Sequence, residues 1–136
     1  MLMTKTKKRK QIVKQLDKVF SQWVRASAMD DNGYIECYTC CVKKKFNQIQ
    51  AGHFMSRKAY STRWVEKNVK PQCIGCNMFK QGMQYEFGKR LDIDFGIGTA
   101  EELNILSKQT IKITTNELQE MIEYYQDKLN TLGELL

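Results

Sequence analysis

The sequence predicts an α+β fold in which a small unit with short strands lies between a helix near each end of the chain. Apolar residues recur at helical spacing close to the N-terminus, at Ile12, Leu16 and Val19, and again in the last third, at Leu118 and Ile122. The middle of the chain carries short alternating segments and two Cys-x-x-Cys pairs. A chain of 136 residues buries only a modest core, so a compact centre of this kind would gain from a metal ion that ties its segments together.

The N-terminal part is predicted to be a tail followed by a helix. Residues 1–10 are basic and have no apolar period, so we expect a flexible tail. Residues 11–28 are predicted to form the N-terminal helix, which the turn cluster at 30–33 ends. Residues 34–38 are predicted to form a short strand, and residues 46–54 a hairpin arm that ends at His53.

The second half is predicted to be mainly helical. Residues 55–70 are polar and basic and are expected to form a loop, so residues 34–90 make up the central unit. A helix should start at Cys76 and run to about residue 90, with Met78, Phe79, Met83 and Phe87 as its buried positions. Residues 99–136 are predicted to be a helical extension, with a capping-box pattern at residues 99–102 and a cap for the last helix at Thr114 or Thr115.

Nothing in the sequence indicates a membrane protein or a secreted one. No apolar run approaches the roughly 20 residues that span a bilayer, and the charged N-terminus is not followed by the apolar stretch of a secretory signal. We therefore expect a cytoplasmic protein with no membrane partner. Thiols stay reduced in that compartment, so five cysteines favour metal binding over disulfides.

The two Cys-x-x-Cys pairs predict a structural zinc site. Two residues between thiolates let both sulfurs of a pair face one ion from a tight turn, and two such turns complete a tetrahedral site. The predicted ligands are Cys37, Cys40, Cys73 and Cys76. Four protein ligands leave no position for water or substrate, so this zinc would be structural. Cys41 would be a fifth ligand and is predicted to stay outside the site; the alternative for the four is that they are buried free cysteines.

The distribution of charge predicts a polyanionic partner. Residues 1–90 hold 19 Lys/Arg and 6 Asp/Glu, whereas residues 91–136 hold 3 and 9. A basic block of this size suits nucleic acid, although it could also be a solvated surface. The predicted DNA contacts are Lys43, Lys44, Lys45, Arg57, Lys58, Arg63, Lys67 and Lys70. Tyr60 and Trp64 lie within this basic segment and would either stack on exposed bases or pack under their own loop.

His53 is the only histidine of the chain and is the candidate catalytic base. A single histidine is often structural or merely exposed. This one, however, lies between the two cysteine pairs, in a strongly basic segment, and ahead of an asparagine at a predicted helix start. An imidazole with an ordinary pKa near ~6.5 is mostly neutral at cellular pH and can accept a proton from water.

The order of these residues resembles that of the HNH (His-Me finger) endonucleases. His53 is followed by Asn68 and then by Cys73-Ile-Gly-Cys76-Asn77-Met-Phe-Lys80. The string Gly-His-Phe-Met-Ser-Arg57, together with both cysteine pairs, is similar to the phage NinG/Rap recombination proteins. The resemblance covers residues 34–90. It implies a zinc-stapled ββα-metal core with flanking helices, and a metal-dependent DNA endonuclease that acts on branched or recombination-intermediate DNA in a bacterial host cell.

The resemblance also implies a role for each site residue. His53 would be the general base, and Asn68 would fix the loop or the imidazole by hydrogen bonding. Asn77 would supply an oxygen ligand to a catalytic Mg²⁺ or Mn²⁺, which would bind the scissile phosphate and stabilise charge on the leaving 3′-oxygen. Lys80, one turn later on the same predicted helix face, would neutralise phosphate charge. Arg57 would bind a neighbouring phosphate.

One position departs from the wider HNH pattern, in which an acidic residue that binds metal often precedes the histidine. Here that position is Gly52, so the ion would be held either by Asn77 together with DNA oxygens and water, or by another carboxylate such as Glu36 or Glu86. Two other functions also stay open: a non-catalytic zinc-ribbon module that binds DNA, and a scaffold for protein partners that uses the C-terminal helix. The apolar stripe of that helix would either pack in the core or form a homodimer.

Overall fold

Residues 5–135, the part of the chain that the computed structural model describes, contain five α-helices and four short strands. Two 3-10 turns and one π-type turn lie between them. In chain order the elements are α1 (Lys5–Ala26), β1 (Tyr34–Glu36), β2 (Lys43–Lys45), β3 (Ile49–His53), α2 (Tyr60–Arg63), β4 (Val69–Cys73), α3 (Gln84–Phe95), α4 (Thr99–Ser107) and α5 (Thr115–Leu135). The mixed α+β composition agrees with the prediction from the sequence.

The strands form two antiparallel pairs. Strands β1 and β2 pair so that Ile35 lies opposite Lys44. Strands β3 and β4 pair from Ile49 opposite Cys73 to His53 opposite Val69. The chain between β3 and β4 is long, and it returns so that the end of β3 at His53 faces the start of β4.

The main core lies where the two long helices pack against each other and against the β3–β4 pair. Leu16 and Phe20 of α1, Val69 of β4 and Leu118 of α5 are all buried. The ring of Tyr125 on α5 packs edge-on against Phe20, with centroids 4.8 Å apart. The apolar stripe of the last helix is therefore used inside the chain, as the core-packing alternative expected.

A smaller core lies under the second half of the chain. Tyr38, Phe87 and Leu91 are buried together, and Leu103 of α4 closes the cluster. Since Tyr38 follows strand β1 and Phe87 lies on α3, this cluster holds α3 against the segment that carries the first cysteine pair.

The N-terminal boundary differs from the prediction. Helix α1 begins at Lys5, so a flexible tail over residues 1–10 is wrong for residues 5–10; residues 1–4 lie outside the described part. Lysine and arginine are good helix formers, and the apolar face of the helix anchors the basic turns that precede it. The helix ends at Ala26 rather than at residue 28.

Residues 55–70 are not entirely a loop. They contain the short helix α2 and a 3-10 turn at Glu66–Asn68. Ser61, Thr62 and Asn68 are buried there, so polar side chains supply the hydrogen bonds that hold this segment.

The predicted helix from Cys76 to residue 90 is wrong in its first half. Residues Gly75–Phe79 form a single π-type turn, and α3 begins only at Gln84. Between them Gln81, Gly82 and Met83 have positive φ angles, which no α-helix accommodates. Met78 and Phe79, predicted to be buried, are 61% and 80% exposed, whereas Phe87 is buried as predicted.

The caps of the last two helices follow different rules. Thr114 caps α5, because its Oγ1 accepts a hydrogen bond from the backbone N–H of Glu117 at 3.1 Å. The N-cap of α4 is Gly98 rather than Thr99, and Asp92 of α3 accepts a hydrogen bond from the N–H of Ala100 at 2.9 Å.

None of the helices within residues 5–135 is both long enough and apolar enough to cross a bilayer.

Candidate functional site

The four predicted zinc ligands meet at one point. The Sγ atoms of Cys37, Cys40, Cys73 and Cys76 all lie within 4.8 Å of one another. Tetrahedral zinc with Zn–S bonds of ~2.3 Å requires sulfurs about 3.8 Å apart, and Cys40 and Cys73 are separated by 3.7 Å. Cys37 follows strand β1 and Cys73 ends strand β4, so the group joins the two strand pairs.

This donor set fits a structural metal ion such as zinc. Four sulfurs are the soft ligands that zinc prefers, and a set of four leaves no open position. Burial opposes ionisation of Cys37, but hydrogen bonds from the backbone of Cys40 and Cys73 outweigh it and lower the pKa of this thiol to about 6. Cys41 is exposed and lies outside the group, with its Sγ 4.0 Å from Arg90.

A cleft of about 630 Å³ lies between helix α1 and strand β3. His53 and Asn77, which the sequence predicts to act on the same phosphate, both line it, and so does Arg57. The wall from α1 contributes Asp17 and Arg25. The cleft therefore combines an imidazole, two amides, a carboxylate and two guanidinium groups.

The imidazole of His53 is held in one orientation. Its Nε2 lies 3.0 Å from the carbonyl oxygen of Arg63. A carbonyl oxygen only accepts, so Nε2 must carry the proton and Nδ1 keeps the lone pair. Burial lowers the pKa of His53 below its ordinary value, and the charge of Arg57 acts in the same direction. The ring is thus neutral at pH 7 and has one nitrogen ready to accept a proton.

Asn68 holds the loop rather than the imidazole. Its side chain is fully buried; Oδ1 accepts from the N–H of Met55 at 2.8 Å. The amide Nδ2 donates to the carbonyls of Met55 and Thr62, both at 3.0 Å. Of the two roles considered for Asn68, fixing the loop is the one that matches these contacts.

Asn77 lies on the π-type turn and is held from strand β3. Its Nδ2 donates to Oε1 of Gln50 at 2.8 Å. That bond uses the amide nitrogen and leaves Oδ1 of Asn77 as the acceptor of this side chain. Gln50 lines the same cleft, so it fixes the orientation of Asn77 there.

Lys80 does not share this arrangement. It ends the π-type turn with φ −112° and ψ 25°, is exposed, and is not among the residues that line the cleft. The expectation that Asn77 and Lys80 lie on one helix face is wrong, because the turn widens and then breaks at residues 81–83.

Neither of the two acidic residues considered for the place that Gly52 leaves lies in the cleft. Gly52 is buried against Gln72, so a side chain would not fit there. Glu36 pairs with Arg90 at 3.2 Å, and Glu86 is exposed on α3; neither lines the cleft. The carboxylate that does line it is Asp17.

The eight predicted DNA contacts are spread over different surroundings. Arg57 is exposed and lines the cleft, whereas Arg63 is engaged by Asp17 at 2.6 Å. Lys70 is half-buried over the Phe95 ring, and burial lowers its pKa. Exposed side chains are found for Lys43, Lys45, Lys58 and Lys67, and Lys44 is half-buried. Arg63 is therefore better assigned to the scaffold than to DNA.

Tyr60 and Trp64 pack under their own loop. Trp64 is only 5% exposed, and its ring lies edge-on to that of Tyr60 with centroids 5.2 Å apart. The base-stacking alternative fails for Trp64, because a buried ring has no free face.

Several residues of the cleft were missed by sequence reasoning, among them Asp17, Arg25 and Gln50. Asp17 and Arg25 lie on α1, outside the segment that carries the motifs, and Gln50 precedes Gly52 on strand β3. One signal was available: Asp17 is the first acidic residue of the chain, in a helix whose other charged residues are all basic.

The fold and the cysteine group define the class: a small α+β protein with a four-cysteine site that could hold a structural metal ion. The family model described as "Bacteriophage Lambda NinG protein" matches residues 2–134. The chain belongs to the NinG family.

A curated relative agrees with this assignment. The protein named "Protein ninG" of Salmonella phage P22 is 28% identical over 120 residues, which cover 82% of this chain. The match spans 58% of the length of that relative. No solved structure matches the chain significantly.

Proposed function

We propose that the chain is a metal-dependent DNA endonuclease of the HNH kind, with His53 as its general base. The observation that carries the proposal is the state of that imidazole. Its Nε2 is bound to the Arg63 carbonyl, its pKa is lowered, and it lines the same cleft as Asn77 and Arg57. A neutral imidazole with one free nitrogen in a basic cleft suits the deprotonation of water beside a phosphate.

The chemistry follows from these positions. His53 accepts a proton at Nδ1 from a water molecule, whose oxygen bonds to phosphorus while the bond from phosphorus to the 3′-oxygen breaks. Arg57 neutralises charge on the phosphate. Asn77 offers Oδ1 as a ligand for Mg²⁺ or Mn²⁺, which when bound supplies Lewis-acid stabilisation of the leaving oxygen. Lys80 does not line the cleft, so the role proposed for it is only a phosphate contact outside the cleft.

The substrate class comes from charge and from resemblance. The basic side chains on the loop and on strand β2 would contact phosphates without reading sequence, so binding should weaken steeply with salt. The preference for branched or recombination-intermediate DNA rests on the similarity of the string that ends at Arg57 to the NinG/Rap proteins. The structural zinc would keep β1, β4 and the π-type turn together.

A second candidate is a non-catalytic zinc module that binds DNA. The observation that favours it is the state of Asp17, the carboxylate of the cleft. Both of its oxygens already accept hydrogen bonds from Arg63 and Trp64. Asn77 is then the remaining oxygen ligand identified for a catalytic ion, and a single neutral ligand binds such an ion weakly without DNA.

One experiment separates the two candidates. The zinc-loaded protein is incubated with Mg²⁺ or Mn²⁺ and with synthetic branched DNA, or with linear duplex of the same sequence. His53→Ala should bind DNA like the wild type but cut at least about 100-fold more slowly. Asn77→Ala should lose cutting, whereas the control Asn47→Ala, an exposed asparagine outside the cleft, should not.

Three outcomes would distinguish the candidate functions. Equal cutting by the wild type and His53→Ala would refute the role of His53. Tight binding of DNA by a wild-type protein that never cuts would support the zinc module instead. A wild-type protein that ignores DNA at low salt would contradict both and favour the scaffold for protein partners.

A further inference from the structure

Asp17 of helix α1 binds two consecutive residues at the end of helix α2. Its Oδ2 accepts a hydrogen bond from a terminal nitrogen of Arg63 at 2.6 Å, and its Oδ1 accepts from Nε of the same guanidinium at 3.1 Å. Oδ1 also accepts from the indole Nε1 of Trp64 at 2.9 Å. This is a bidentate, partly buried ion pair, with 17% of the Arg63 side chain and 21% of the Asp17 side chain exposed.

The residue that Asp17 holds by its side chain is the residue that holds His53 by its backbone. The carbonyl oxygen of Arg63 accepts from Nε2 of His53 at 3.0 Å. A terminal nitrogen of Arg63 also donates to the carbonyl of Arg57 at 3.0 Å. One guanidinium thus ties α1 to both ends of the segment that faces the imidazole.

Helix α2 needs such an external restraint. It has only four residues, Tyr60–Arg63, and a helix of that length is not stable by itself. Asp17, in contrast, lies within a helix of 22 residues and next to Leu16, which is fully buried in the main core. The rigid element therefore fixes the short one, and with it the direction of the Arg63 carbonyl.

We propose that Asp17 is a positioning residue that sets the tautomer of His53 through Arg63, with the proton on Nε2 and the lone pair on Nδ1. The carboxylate does not contact the imidazole and has no oxygen without a partner, so it acts through Arg63 and not as a metal ligand. The consequence for cleavage rests on the proposed function, but the tautomer does not.

The tautomer can be read directly, because His53 is the only histidine of the chain. In protein labelled with ¹⁵N, a spectrum recorded through two-bond couplings at about pH 8 gives one pair of imidazole nitrogen signals. The wild type should show one nitrogen of the protonated type, assigned to Nε2, and one of the unprotonated type. Asp17→Asn, nearly isosteric, replaces an acceptor by an amide that cannot receive both guanidinium bonds. Its two signals should therefore move toward each other.

A matched control is available at another carboxylate. Asp94 accepts from the Tyr38 hydroxyl at 2.7 Å and pairs with Arg90 at 3.6 Å, away from the cleft. Asp94→Asn breaks another Asp–Arg pair, a longer and more exposed one, and should leave the nitrogen signals of His53 unchanged. Arg63→Lys keeps the charge and the carbonyl but loses the bidentate contact. It should move the signals as Asp17→Asn does, and it serves if Asp17→Asn does not fold.

The results separate this inference from the proposed function. A folded Asp17→Asn or Arg63→Lys with wild-type nitrogen signals would overturn the inference, as would mixed tautomers in the wild type. If the wild type cuts DNA, Asp17→Asn should lower kcat by roughly 10- to 100-fold with unchanged DNA affinity. If it does not cut, only the proposed function fails, and the movement of the signals still supports the role of Asp17.

Discussion

Gln72 lies opposite Gln50 in the β3–β4 pair, and its side chain fills the space that a side chain at the nearby Gly52 would need. An ideal Cβ on Gly52 would overlap Oε1 of Gln72 and lie 2.6 Å from its Cδ. Gln72 cannot easily move, because its Nε2 donates to the carbonyl of Gly82 at 2.9 Å and to Oγ1 of Thr39 at 3.1 Å. The side chain of Gln72 therefore fills the space beside position 52, so an acidic side chain would not fit immediately before His53.

Gly52→Ala should destabilise the protein by about 1 to 3 kcal/mol, because the added methyl group overlaps a fixed neighbour. Denaturant unfolding measures the free-energy difference. The control is Gly133→Ala on α5, where nothing lies within 4 Å of the new Cβ, and it should change stability by less than about 1 kcal/mol. In a Gln72→Ala background, Gly52→Ala should cost much less. An equal cost in both backgrounds would contradict the steric explanation.

Local spacing explains which parts of the site could be predicted from the sequence. Two residues between thiols restrict where the sulfurs point, so the cysteine group was predictable from the chain alone. His53 lies between the two cysteine pairs and Asn77 directly follows the second pair. Because the pairs come together at one point, the sequence also predicted that these two residues lie close to each other, and both line the same cleft. Asp17 lies 46 residues before Arg63, and no local pattern indicates such a contact.

The failed prediction of a helix from Cys76 has a physical cause as well. The periodicity of Met78, Phe79 and Met83 assumes a continuous helix, but three successive positive φ angles at residues 81–83 interrupt it. Only Gly82 adopts this conformation freely, and Gln81 and Met83 give no sign of it in the sequence. Tertiary contacts fix the break, among them the bond from Gln72 to the Gly82 carbonyl.

Removal of one cysteine of the group should remove the metal. The wild type is expected to bind about one zinc ion per chain, and Cys76→Ser is expected to lose it and to unfold at lower temperature. Cys41→Ser, next to the first pair but outside the group, is the control and should keep both the zinc and the stability. Elemental analysis and thermal melting with and without a chelator measure the two quantities. Zinc loss in Cys41→Ser alone would contradict the assignment of ligands.

Asn68→Ala should destabilise the protein by about 2 to 4 kcal/mol. The change removes three hydrogen bonds and takes away the partner of the part-buried N–H and carbonyl of Met55. The carbonyl of Thr62 still accepts from the N–H of Val65. Asn47→Ala, at an exposed asparagine, should stay within about 0.5 kcal/mol of the wild type. Chemical unfolding of both variants gives the comparison. Similar stabilities would show that the loop does not depend on the Asn68 side chain.

The midpoint of the His53 titration should lie below the ordinary histidine pKa of ~6.5. Burial is the main cause of the lowered pKa, and the neighbouring Arg57 charge adds to it. The unfolded chain binds the proton first on acidification, so folding stability falls as the pH drops through ~6.5 toward the folded pKa and is unaffected above that range.

If His53 is the base, cutting should likewise persist below pH 6.5. The Hε1 resonance of the imidazole, one signal because the chain has one histidine, gives the midpoint. His53→Gln should abolish the acid-side loss of stability that this residue causes. A midpoint at or above ~6.5 would contradict burial as the dominant influence on this ring, because the Arg63 carbonyl and the Asp17 charge would then outweigh it.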